Sequence, residues 1–394
     1  MSNRRKPIET GLTSSVVYPS GLFSLEKDEV YPYERFAYNV LDVGVHGLHV
    51  RDLPESITID FTRLLPGCSP WSINASASVE WAPDGQPLSY HISTPEFTPS
   101  MLYMFSAVVT AQLFDDEACD VFRDDPESLG RRIQHFVDGA SAGVRAYRDK
   151  GIAHAIRAGY ETLGLRILDM QNCADDFDML SKQIAYHEVG HAYIKQFMRD
   201  REWTPLQCRA YELMADLVGT EWLYNGMVRN TPDSDEYREF RGLDTYADTI
   251  FANAIMSMRA QQANLILAAI AGAQRKQGQL SLAGGETHPP GLQRYQLQHI
   301  HLYTLIASNF SKVLSKGQLS AIERDWGDKM DILVRSGVLP LDDLEDSLDL
   351  SHCDTINVAA DLIVEQNVPE LQKVAPFLRE TRKHLAHVLQ SRKP

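Results

Sequence analysis

The sequence predicts an α+β fold, mainly helical, with a small β-sheet in the N-terminal part and a helical C-terminal part. Three observations predict it. Strand and turn signals concentrate between residues 30 and 95. From Thr98 onward, apolar residues recur at three- and four-residue steps through most of the chain. With 394 residues, 44% hydrophobic and 23% charged, the composition is that of a globular protein large enough for two or three domains, or one domain with large insertions.

In chain order, residues 1–30 read as a loosely ordered arm. ITIDF (57–61) alternates as a strand does. INASASVEW (73–81), then APDGQ, then PLSYHIST (87–94) reads as a hairpin turning at Pro83-Asp84-Gly85. PSMLYMFSAVVTAQLF (99–114) has helical spacing after a Thr98-Pro99-Ser100 start. Further helices are expected near 128–148, 152–168, 177–199, 205–226, 243–275, 290–314, 318–336 and 369–391. Loops fall near Asn230-Thr231-Pro232-Asp233 and Gly284-Gly285-Glu286, and the acidic stretch 341–354 reads as a solvated connector. The expected organisation is an arm, a β-containing N-terminal part over 31–150, a helical core over 151–315 and a helical C-terminal part over 316–394.

Bulk properties exclude several functions. A formal charge of −15 repels phosphate backbones and makes nucleic acid a poor partner. The five cysteines (Cys68, Cys119, Cys173, Cys208 and Cys353) are odd in number and form no CxxC pair, which fits reduced thiols in a cytoplasmic protein. MSNRRKPIETGLTSS lacks the apolar run of a secretory signal. The longest apolar stretch, ANLILAAIAGA (263–273), is too short to span a bilayer and reads as a buried core helix, so no membrane span is expected. Nothing in the pattern bears on oligomeric state.

The chemistry concentrates in AYHEVGHAYIKQF. Two histidines four apart, His187 and His191, lie one turn apart on one face of a helix, so their imidazoles can converge on one Zn²⁺. Glu188 follows the first histidine and can reach a water on the metal without occupying the metal. Phe177, Leu180, Ile184, His187, His191, Ile194 and Met198 repeat at helical spacing, which puts the histidines on an inward stripe. Asp175, Asp176 and Asp178 near the start and Arg199 near the end suit the helix dipole.

A third ligand is available in RAYELMADLVGTEW. Glu212 follows a Thr204-Pro205 helix start, and Asp216 lies one turn further on the same face. Glu212 would bind zinc, and Asp216 would accept a hydrogen bond from the outer nitrogen of a ligating histidine, fixing its tautomer. GGETHPPGLQRY supplies His288, which could donate to an oxyanion, and Arg294, which could orient the loop or hold a substrate; a Gly-rich turn with prolines opening a helix is the plainer reading of the same residues. Tyr211 and Tyr295 are alternative oxyanion donors. His299 and His301 are two apart and cannot face one way. His384 and His387 lie in a Lys/Arg-rich final helix. Of His46, His49 and His91, His91 alone is a candidate to line a cleft.

HEVGH, followed by the Glu212-to-Asp216 ExxAD element and the THPP…R element, resembles the gluzincin metallopeptidases. The closest pattern is the branch of the CAAX prenyl proteases, HtpX-like proteases and Oma-type proteases. The resemblance covers about residues 177–295. It implies a zincin-like core over 151–315, zinc ligands His187, His191 and Glu212, Glu188 as catalytic base and acid, Asp216 behind the ligands, and His288 and Arg294 facing substrate. Many members of that branch are membrane-embedded, and this chain has no such spans, so a prenylated substrate is not implied. Soluble gluzincin-like peptidases also occur in bacterial regulation and phage defence, the Lit-type phage-exclusion proteases among them.

The expected function is a zinc-dependent endopeptidase hydrolysing peptide bonds of an intracellular protein substrate, with a regulatory or phage-defence protease as one form of it and PLSYHIST (87–94) as a strand that could pair with an extended substrate. The rival readings are a catalytically inactive zincin-fold binding or regulatory module and a structural zinc site.

Overall fold

The computed structural model describes residues 13–46, 55–62, 75–84, 87–165, 173–195, 205–276 and 291–338. The fold is mainly helical with one small mixed sheet, α+β as expected. The expected helix at 369–391, the acidic stretch 341–354 and the Gly284-Gly285-Glu286 loop lie outside the described residues.

The front of the chain differs from its sequence reading. Residues 1–12 lie outside the described set, but Thr13–Val17 forms strand β1, not part of an arm, and Lys27–His46 forms helix α1 inside the stretch expected to be strand and turn. The reason for the second difference is local composition. Tyr31, Tyr33, Phe36, Tyr38 and Val40 are residues that favour strands. Their burial nevertheless follows a helical period, with Val30, Tyr33, Phe36, Ala37 and Val40 forming the covered face.

Ser56–Asp60 (β2), Ser76–Trp81 (β3) and Pro87–Ser93 (β4) are strands where expected. The sheet order is β1-β2-β4-β3. β1 and β2 pair parallel, as do β2 and β4, while β3 and β4 form the antiparallel hairpin. Parallel neighbours need a long crossover, and α1 supplies the one between β1 and β2. Ile57, Ile59, Ala77, Tyr90 and Ile92 turn inward. The order carries a correction. β4 is hydrogen-bonded on both sides, so PLSYHIST (87–94) has no free edge to offer a substrate; among the described residues the edge strands of this sheet are β1 and β3. His91 on β4 is within hydrogen-bond distance of Ser89 Oγ (2.7 Å) and 3.5 Å from Glu80 on β3.

The helices follow as α2 (Thr98–Phe105), α3 (Ala111–Leu113), α4 (Asp116–Asp124), α5 (Pro126–Lys150), α6 (Ile152–Leu163), α7 (Ala174–Lys195), α8 (Pro205–Tyr224), α9 (Asp235–Arg241), α10 (Tyr246–Lys276), α11 (Gly291–Phe310) and α12 (Lys316–Arg335). The single helix expected over 99–114 is broken by a π turn at Ser106–Thr110, where the Thr110 hydroxyl donates back to the Ser106 carbonyl. ANLILAAIAGA lies in α10 with Ala263, Leu265, Ile266, Leu267 and Ile270 buried. Among the described residues no helix is long and apolar enough to cross a membrane.

α7 is the centre of the molecule. It packs on α1, β3, α8 and α10, and buried Phe177, Leu180, Ser181, Ala185, Val189 and Ala192 cover more than one of its faces. Its start is tied to α1: Arg35 donates to both Asp178 oxygens (2.5 and 2.7 Å), and Asn39 Nδ2 donates to Asp178 Oδ1 (2.8 Å) and Ser181 Oγ (2.6 Å). α8 is held on its other side by α11, where His301 Nε2 lies 3.8 Å from Glu221 Oε2.

Glu221 gives a pH test of that packing. Burial, partly opposed by the positive charge of Arg229, pushes its carboxyl from 4.5 up to about 7. The folded state therefore holds its proton more tightly than the unfolded state. The resulting stabilisation is full below the ordinary glutamate range and is lost as pH rises toward 7. In urea melts at stepped pH, Glu221→Gln should flatten the decline in midpoint between 4.5 and about 7; an unaltered slope would contradict this assignment.

Candidate metal centre

The site is built where α7 crosses α8, and small residues set the crossing. A Cβ placed on Gly190 of α7 would meet the Ala215 carbonyl oxygen at 3.1 Å. One placed on Gly219 of α8 would meet the His187 backbone nitrogen at 3.1 Å and the Tyr186 carbonyl at 3.2 Å. No larger residue fits either position without moving a backbone. The two helices therefore touch backbone to backbone, and side chains one turn away from the contact are brought together across it.

Three of them converge. His187 Nε2 and His191 Nε2 are 2.9 Å apart, and Glu212 Oε2 is 3.4 Å from each. Zinc–ligand bonds of about 2.0–2.1 Å at tetrahedral angles put neighbouring ligand atoms about 3.3 Å apart. The observed triangle matches that requirement, with the His–His side slightly short. Among the described residues this is the one group of three or more His, Cys, Asp or Glu side chains that could hold a metal ion.

The surroundings prepare the ligands. Asp216 is 1% exposed, and His187 Nδ1 donates to its Oδ1 at 2.8 Å. That bond fixes the tautomer and leaves the Nε2 lone pair of neutral His187 aimed into the triangle. The Tyr211 ring packs on His191, centroids 4.5 Å apart, and its hydroxyl donates to the His191 carbonyl at 3.1 Å. Tyr211 titrates well above the ordinary tyrosine value, through burial first and then the negative charges of Glu212 and Glu188. Its hydroxyl proton is thus committed to the backbone of the ligand helix in this structure.

Glu188 is 5% exposed, and its Oε2 has no hydrogen-bond partner among the described residues. A carboxylate removed from water without a donor is costly unless something else occupies its lone pairs.

The structure thus brings together His187, His191, Glu212 and Asp216, with Glu188 beside them. His288 lies outside the described residues. Arg294 falls in the first turn of α11, where the backbone but not its side chain is described. α11 itself is linked to the site helix, since Gln183, one turn before His187, donates to Gln298, one turn past Arg294, at 3.4 Å. His299 and His301 are buried in the helical core, His299 stacked on Trp326 with centroids 4.4 Å apart. His49, His384, His387 and the side chain of His46 lie outside what the structure describes. Gly190 and Gly219 were not singled out from the sequence. The signal available was the Ala215-to-Gly219 spacing of two small residues one turn apart. No family model, curated protein or solved structure matches this chain.

Two variants test the geometry. Asp216→Asn should lower affinity for Zn²⁺ by roughly 10–100-fold in competition with a chromophoric chelator; unchanged affinity would free Asp216 from this role. Gly219→Val should cost about 1–3 kcal/mol in urea unfolding and reduce metal uptake together. Full stability with full uptake would show that the close crossing is not what builds the site.

Proposed function

We propose that this chain is a zinc-dependent endopeptidase that hydrolyses peptide bonds of a protein substrate. The observation that carries the reading is Glu188. It is a buried carboxylate with an open oxygen, one residue from His187, beside three side chains spaced for a tetrahedral ion. A purely structural zinc site closes its shell with four protein ligands, whereas a site that works on substrate keeps one position for water. The three ligands found among the described residues favour the second kind.

A zinc ion bound there supplies a Lewis acid that makes water acidic and polarises a carbonyl. Glu188 takes the proton as the water attacks and delivers it to the leaving amine as the peptide bond breaks. Asp216 holds His187 in one tautomer throughout, so the ligand set need not reorganise. The proposed oxyanion donor is His288, with Arg294 at the substrate. The Gln183–Gln298 bond supports that assignment, because it ties α11, which begins just after His288-Pro289-Pro290, to the ligand helix. An extended substrate would add to β3, the sheet edge that packs on α7, through main-chain hydrogen bonds. The motif's resemblance to gluzincins agrees with the roles given to Glu188, Asp216, His288 and Arg294.

The test uses zinc-loaded protein with β-casein and a quenched fluorescent peptide library. Wild type should cleave, while Glu188→Gln should keep its zinc and lose roughly 10²–10⁴-fold in turnover. Equal turnover by the two would remove Glu188 as base. Zinc bound by both without any cleavage would favour an inactive zincin-fold module.

A further inference from the structure

Away from the metal centre, α4 and α12 meet through a buried pair. Cys119 of α4 is 1% exposed and Lys329 of α12 is 3% exposed. Lys329 Nζ donates to Cys119 Sγ at 2.9 Å, and the two residues are 210 apart in sequence. Cys119 is a free thiol. Ionic and backbone ties flank the pair and hold the helices in register. Arg123 Nη2 lies 3.7 Å from Asp328 Oδ2, and Arg335 Nη1 donates to the Arg123 carbonyl at 3.1 Å. One turn before Lys329, Asp325 lies 4.0 Å from Arg259 and has one buried oxygen without a hydrogen-bond partner among the described residues.

The geometry points to a covalent modification site: peroxide oxidation of Cys119 closes a cross-link to Lys329. In the first step the sulfur attacks the O–O bond of hydrogen peroxide, giving a sulfenic acid and releasing one water. In the second, the Lys329 amine attacks that sulfur. An S–N bond forms, the S–O bond breaks, and the hydroxyl departs with an amine proton as a second water. The protein loses two electrons and two hydrogens, and the peroxide is reduced to water. The result is a sulfenamide, the same condensation a sulfenic acid undergoes with a backbone nitrogen.

Burial directs this outcome. α4 has only nine residues and exposes Val121, so local opening admits a small oxidant. When the helix recloses, the nucleophile waiting at the sulfur is the Lys329 amine. Bulk thiols and a second peroxide are kept out. The bond would close a loop of some 200 residues and restrain the unfolded chain, as a disulfide does.

Full-length protein treated with hydrogen peroxide, then alkylated under denaturing conditions, should yield on proteolytic mapping a linked peptide pair containing Cys119 and Lys329. The pair should be two hydrogens lighter than its parts and should separate with a thiol reductant. Mapping is required because a disulfide among the other cysteines would change the intact mass equally. The unfolding temperature should rise on oxidation, and Lys329→Arg, which keeps the charge, should give neither the linked pair nor the rise. Recovery of wild-type Cys119 as alkylated thiol or as sulfinic or sulfonic acid, with Lys329 still open to trypsin, would overturn the proposal whatever the variant does.

Discussion

The backbone contact between α7 and α8 is the constraint on which the rest depends. Gly190 and Gly219 remove the side chains that would separate the helices, and Ala215 supplies the smallest one that remains. Only at that approach does a carboxylate on α8 come within 3.4 Å of both imidazoles on α7. The rest of the fold keeps the crossing in place. α1 grips the start of α7 through Arg35, Asn39 and Asp178, β3 supports its flank, and α11 backs α8 through His301 and Glu221.

The crossing would be a poor design for stability alone. It gathers Glu188, Glu212 and Asp216 around two imidazoles, all with little exposure to water. Three carboxylates sit close together there, with the Asp216–His187 bond at one of them and Glu188 Oε2 without a hydrogen-bond partner among the described residues. A divalent cation at the centre of the triangle would offset that charge and occupy the inward lone pairs together. Tyr211 adds a cover over His191 without contributing a charge.

How far this was legible in the sequence depends on whether the signal is local. His187, Glu188 and His191 could be read because one helical turn converts their spacing into a shared face. Glu212 and Asp216 could be read because they repeat that spacing on the next helix. The helical body was legible from periodicity, and the β3–β4 hairpin from its turn. α1 was missed because strand-favouring aromatics masked a helical period. β4 was given the substrate's role because strand order is not written locally, and its two neighbours, β2 and β3, come from different places in the chain. Gly190 carries no local mark of the contact it permits, and Gly219 only its spacing one turn from Ala215. Cys119 and Lys329, far apart in the chain, carry none either.

X-ray absorption at the zinc edge of the purified, zinc-loaded protein tests the central claim most directly. The account predicts a four-coordinate site with nitrogen and oxygen donors near 2.0 Å, two of them showing the outer-shell scattering of imidazole rings, and no sulfur. A sulfur donor at about 2.3 Å, or zinc that washes out before any spectrum can be taken, would contradict it.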